Sequence, residues 1–158
     1  MHPIGTIHSP YQALEEMPIQ PIGAGSAQGT VVLDAAYADG LEDLEGFSHL
    51  ILIYQFHRAT GFELKVKPFL DDRKHGLFAT RAPRRPNPIG LSVVPLLSRE
   101  GNKLCVGNID VLDGTPLLDI KPFVPDFDAP MATSVGWLTG KMRQAQQMRS
   151  DGRFASHD

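Results

Sequence analysis

Proline and glycine interrupt this chain so regularly that it has little room for long helices. There are 13 prolines and 15 glycines among 158 residues, about 18% against roughly 12% in average usage. They are scattered, so they read as turns between short strands and not as a disordered tract. Between them, β-branched and apolar runs predict strands over 4–8 (ended by Ser9-Pro10), 27–33, 49–57, 65–69, 89–98, 104–111 and 117–123. The run 49–57, HLILIYQFH, is almost continuously apolar and predicts a central strand covered on both faces. Residues 99–103, REGNK, predict a hairpin turn. Residues 11–25 read as a long loop, 37–44 as one helical turn stopped by Gly46, and 71–88 as a polar loop with a brief extended piece at 77–80. The only helix expected is a short polar one over 141–149.

Six to eight strands at this spacing predict a mainly β fold, a single-domain, closed or half-closed β-barrel. The barrel is expected over 1–140, with the short helix and a fraying tail over 141–158. Strands do not alternate with long helices, which excludes the usual doubly wound nucleotide-binding fold. Gly23-Ala24-Gly25 with Gly29 has the wrong spacing for a dinucleotide loop and precedes a strand where a helix is required.

The formal net charge is −3, so any contact with a polyanion must come from a local patch. Cys105 is the single cysteine, which excludes an intramolecular disulfide and a cysteine zinc cluster. His49 and His57 stand eight apart on one expected strand, about 26 Å, too far to share a metal; no metal is expected. The amino terminus lacks a signal peptide's basic start and apolar core, and no apolar run is long enough to span a bilayer. A cytoplasmic protein without a membrane partner is expected.

Three constellations carry chemistry. The stretch 73–90, RKHGLFATRAPRRPNPIG, holds Arg73, Lys74, Arg81, Arg84 and Arg85 without an acid. Guanidinium groups grip phosphates and carboxylates with paired hydrogen bonds, and Pro83, Pro86 and Pro88 stiffen their loop. Asp113-Gly114-Thr115-Pro116 is a turn by composition, followed by Asp119 and Lys121, which share one strand face. His57-Arg58 ends the apolar strand, where a barrel mouth would lie.

Ile4-Gly5-Thr6-Ile7 with Ser9-Pro10, Gly46-Phe47-Ser48-His49-Leu50, Phe78-Ala79-Thr80-Arg81, Arg85-Pro86-Asn87-Pro88-Ile89-Gly90-Leu91-Ser92, and Asp113-Gly114-Thr115-Pro116 with Asp119-Ile120-Lys121-Pro122 occur in that order. Together they resemble the TsaA-like (TrmO-type) family of tRNA methyltransferases over roughly residues 1–137. The resemblance implies a non-Rossmann β-barrel methyltransferase, in a short form without the C-terminal domain of longer relatives. It implies S-adenosyl-L-methionine as cofactor, a homodimer with the cofactor near the subunit interface, and N6-methylation of threonylcarbamoyl-adenosine beside the anticodon of tRNA.

It further implies cofactor contacts at Pro18, Ile19, Gln20, His57, Arg58, Arg81, Leu91, Asp113, Gly114, Thr115, Pro116, Leu117 and Leu118. Asp119 is the expected general base and Asp113 the second choice. Arg84, Arg85, Asn87 and Lys121 are expected to hold the tRNA. A methyltransferase with another acceptor, and a non-catalytic barrel that only binds the cofactor, remain the alternatives.

Overall fold

The computed structural model describes residues 1–15, 17–131, 134–151, 153 and 154. Six strands form one closed antiparallel ring: β1 (Gly5–His8), β2 (Gly29–Leu33), β7 (Lys103–Val106), β6 (Ile89–Glu100), β3 (His49–Gln55) and β8 (Thr115–Pro122), with β8 returning to β1. A separate two-stranded piece joins β4 (Lys65–Val66) to β5 (His75–Gly76). The mainly β barrel expected from the turn spacing is the observed fold.

Alternation along each strand sorts side chains to the inside or the outside. Ile7, Val31, Leu50, Leu52, Val94, Leu104, Val106 and Leu117 point inward and are completely buried. Two irregularities bend the sheet into a ring. At Leu97 the pairing of β6 with β7 slips by one residue, and at Leu118 that of β8 with β3 does the same. Such bulges sharpen the local bend and twist. β6 is thereby a corner strand: its first half pairs with β3 and its second half with β7. The β6–β7 hairpin closes through Gly101 at φ +58, a backbone that suits glycine in a two-residue turn.

Several local expectations change. β3 is not covered on both faces: Leu50, Leu52 and Tyr54 are buried, whereas Ile51 and Ile53 face outward and are half-buried. A one-layer barrel leaves its outer face open in the single chain. The strand expected over 104–111 stops at Val106, because Gly107 and Asn108 (φ +50) turn the chain. That turn plugs the barrel with Ile109 and Val111. The extended piece expected at 77–80 is a 3-10 turn, Leu77–Ala79, set by the Leu77 carbonyl accepting from the amide and hydroxyl of Thr80.

The helix expected over 141–149 is a 3-10 turn, Met142–Gln146, since a short polar segment has too few apolar contacts to hold an α-helix. The one α-helical turn among the described residues, α1 (Pro125–Asp128), starts at a proline, a favourable first position. The tail expected to fray is tied down as far as Phe154. Ser150 N–H donates to Met17 O (2.8 Å), Arg153 Nη1 donates to Pro68 O (3.0 Å), and the Phe154 ring meets Phe69 edge-on. The rest of that tail, residues 155–158, lies outside the described residues.

Gly90 on β6 admits the Tyr54 ring, which lies where a β-carbon would stand. Gly90→Ala is expected to displace that ring and to cost about 1–3 kcal/mol. The denaturant midpoint and the near-ultraviolet circular dichroism of the variant check this.

Candidate functional site

At one end of the barrel lies a cavity of about 940 Å³, within the range of small-molecule sites. Its floor is built from strand ends. Tyr54 closes β3, Ile89-Gly90-Leu91 opens β6, and Thr115 opens β8. Loops supply the walls: 17–22, 56–59, 78–85 and 110–112. The C-terminal segment forms the far side through Trp137, Leu138, Met142, Ala145 and Phe154.

Residues expected from distant stretches meet here. Pro18, Ile19, Gln20, His57, Arg58, Arg81, Leu91 and Thr115 line the cavity, as does Arg85. Arg81 Nη1 donates to Gln20 Oε1 (2.8 Å), joining two segments some sixty residues apart. The Thr115 hydroxyl donates to Leu112 O (2.7 Å) and contacts His57 Nδ1 at 3.4 Å. Burial, and then the neighbouring Arg58 charge, lower the His57 pKa, so this imidazole is neutral at neutral pH.

Other expected residues lie elsewhere in the single chain. The Asp113 carboxylate accepts from Ser9 N–H (3.0 Å) and meets His8 Nδ1 (3.3 Å). The Ser9 bond holds its pKa down, so Asp113 pins the β1 end to the turn. Gly114 (φ +75) donates its N–H to Ile7 O, Pro116 pairs with Thr6, and Leu117 is core. Leu118 is the bulge residue. Asp119 and Lys121 form an ion pair (2.7 Å) on the outer barrel wall, where β3 aligns Ile53 with Asp119 and Ile51 with Lys121. Arg84 Nε donates to Phe154 O (3.0 Å), and Asn87 O accepts from Ile89 N–H (2.8 Å).

The cavity also holds a group that the sequence reading missed. Ser92 Oγ donates to Asp110 Oδ1 (2.6 Å) and shares a 3.0 Å bond with the Tyr54 hydroxyl. Asp110 is the one carboxylate among the described lining residues, and it shares the cavity with Arg58, Arg81 and Arg85. Burial pushes its pKa up to about 6, against the opposing pull of the Ser92 bond and the Arg81 charge. Burial also raises the Tyr54 pKa, which keeps that hydroxyl protonated. Gly107 and Asn108 (φ +50) end the strand before Asp110, and that turn is the sequence signal that could have found it.

A second carboxylate fastens the far wall. Asp71 Oδ2 accepts from His75 Nε2 (2.9 Å) and Lys141 Nζ (2.8 Å). The Lys141 bond, and then the His75 bond, hold its pKa far below the usual range. Trp137 stacks on His75 (4.5 Å, 21°) and donates Nε1–H to Ala79 O (2.7 Å). Together these contacts hold the C-terminal segment against the 71–79 loop.

Asp110 titrates near 3.8 when unfolded and near 6 in the fold. The fold therefore opposes its ionisation, and wild-type stability falls relative to Asp110→Asn as pH rises between those values. Above about pH 6 the gap is level, at up to about 3 kcal/mol for a displacement of this size. Thermal unfolding of both proteins from pH 4 to 8 checks it; parallel curves would show that Asp110 ionises freely.

Residues 6–129 match the family model described as the tRNA-methyltransferase O N-terminal domain. A probable S-adenosyl-L-methionine-binding protein of Pyrococcus abyssi is 52% identical over 154 residues, covering 98% of this chain and 84% of that protein. The tRNA (adenine(37)-N6)-methyltransferase of Escherichia coli is 42% identical over 132 residues, covering 77% of this chain and 56% of the enzyme. The crystal structure of TrmO from Pseudomonas aeruginosa superposes with a TM-score of 0.72 at 41% identity, over 86% of this chain and 60% of the other. The chain thus spans little more than half of the tRNA enzymes it resembles. On the family match over residues 6–129, the chain belongs to the tRNA-methyltransferase O N-terminal domain family.

Proposed function

We propose that this protein binds S-adenosyl-L-methionine in the barrel-end cavity and methylates N6 of threonylcarbamoyl-adenosine beside the anticodon of tRNA. The observation that carries this reading is the cavity itself, with three arginines and one carboxylate on otherwise largely apolar walls. That set fits a ligand bearing a flat adenine ring, a carboxylate and cationic centres. Guanidinium groups take the carboxylate, and Asp110 compensates positive charge. The similarity to a probable S-adenosyl-L-methionine-binding protein and to a tRNA (adenine(37)-N6)-methyltransferase supports it.

When bound, the cofactor supplies a methyl group on sulfonium sulfur for in-line transfer. The chain's task is alignment, which lowers much of such a barrier, and removal of the N6 proton. Asp113 is engaged with Ser9 and His8, and Asp119 stands on the outer wall, paired with Lys121. Asp110 is the carboxylate inside, and a pKa of about 6 suits a base at neutral pH. We assign the proton to it. Arg85 and Arg81 hold phosphate or the threonyl carboxylate.

The outer wall suits a second copy of the chain. Leu91, Ile53 and Asp119 form one row across β6, β3 and β8, and Val93, Ile51 and Lys121 form the next. Leu91 is 52% exposed and also lines the cavity, so a homodimer packed here would border the site.

Nucleoside mass spectrometry of tRNA tests the function. Deletion of the gene is expected to abolish N6-methyl-threonylcarbamoyl-adenosine, and its return to restore it. An unchanged nucleoside profile, with cofactor binding intact, would point to another acceptor or to a non-catalytic barrel. For the base, Asp110→Asn is expected to lower kcat by 100-fold or more, of the order general-base catalysis supplies, and to remove the rise of kcat/KM through about pH 6. Loss of turnover in Asp119→Asn with an active Asp110→Asn would return the role to Asp119.

A further inference from the structure

Phe78 is a large aromatic side chain with 74% of its surface exposed, yet hydrogen bonds hold the residues on both sides of it. The preceding residue, Leu77, is buried and donates its N–H to Leu64 O (2.9 Å). Thr80 closes the turn with its amide (3.0 Å) and its hydroxyl (2.8 Å), both on Leu77 O. Trp137 Nε1–H bonds Ala79 O (2.7 Å) from the C-terminal segment, and Arg85 Nη1 bonds Thr80 O (2.9 Å) from the next loop. The Arg85 guanidinium carbon lies 5.7 Å from the Phe78 ring centroid. Phe78, Arg81 and Arg85 all line the cavity.

From this arrangement we propose that Phe78, backed by Arg85, is a stacking platform for an unpaired nucleobase of an RNA loop at the cavity mouth. A base that is to be modified must leave its stack, and its neighbours then need a new surface. Proteins that hold unpaired RNA combine an aromatic face with arginines along the backbone. A ring carried on a hydrogen-bonded turn loses less entropy on stacking than one on a loop without such bonds. The arginines supply the charge complementarity that a purely apolar partner would not call for, and with an overall charge of −3 such complementarity has to be local. The inference rests on the proposed tRNA substrate but concerns a residue to which that proposal gave no role.

The test is binding of a labelled anticodon stem-loop RNA, by fluorescence anisotropy, to wild type and to Phe78→Ala, Phe78→Leu and Phe78→Trp, with S-adenosyl-L-methionine affinity measured by calorimetry alongside. Loss of one stacked base is expected to weaken RNA binding about tenfold in Phe78→Ala, far more than cofactor binding. Phe78→Trp should hold RNA as the wild type does, and Phe78→Leu should resemble Phe78→Ala. Equal RNA affinity in Phe78→Ala, or Phe78→Leu matching Phe78→Trp, overturns the platform. So does a shift of the monomer–dimer equilibrium in Phe78→Ala without a loss of RNA affinity, which would make the ring a contact between copies of the chain. Failure of the functional reading looks different: the wild type would hold RNA loops through Phe78 and methylate none.

Discussion

One strand, β8, makes a sheet into a ring by pairing with β3 on one side and β1 on the other. Everything at the cavity depends on that closure. Because the side-chain period is two, the register of β8 decides which of its residues face in. Thr115 enters the cavity and Leu117 the core. The bulge at Leu118 then leaves Asp119 outside opposite Ile53 while Ile120 packs against the core. Without the bulge, the residues after it would exchange faces. Two glycines permit close packing around the ring: Gly5 against the β2 backbone, and Gly90 under Tyr54.

Inside this apolar ring, Tyr54, Ser92 and Asp110 form a chain of hydrogen bonds. A buried carboxyl costs stability unless it is bonded or protonated, and both compensations operate here. Hydrophobic packing alone would favour an apolar residue at position 110. A carboxyl with a displaced pKa in a cavity that also holds arginines is a candidate working group. On the far wall, Asp71 accepts hydrogen bonds from His75 and Lys141, and its carboxylate is stabilised instead. The two acids show how burial on one side and bonded donors on the other, and not residue type, decide behaviour.

The barrel was legible because turn residues separate a series of short β-branched and apolar runs along the chain. The family motifs made the cavity partly legible: the Gln20–Arg81 bond and the His57–Thr115 contact join stretches singled out beforehand. Three things were not legible. The face on which Asp119 lies depends on a one-residue bulge, which leaves no mark in local sequence. Asp110 was hidden because Gly107-Asn108 ends its strand earlier than the apolar pattern does. The C-terminal wall draws on contacts such as Trp137 to Ala79 and Asp71 to Lys141, some sixty to seventy residues apart, which no local period encodes. That wall lies beyond residues 6–129, which carry the family match, so it shapes the cavity with residues the family pattern does not include.

The account stands on a single site at the barrel end, assembled from segments far apart in the chain. Amide hydrogen exchange with and without S-adenosyl-L-methionine examines this most directly, because it reports every segment at once. Binding should slow exchange together in the stretches 17–20, 78–85 and 110–115, and leave the 35–46 turns, which do not line the cavity, unchanged. Slowing confined to one of those stretches, or centred on a part of the barrel remote from Arg81 and Asp110, would contradict it.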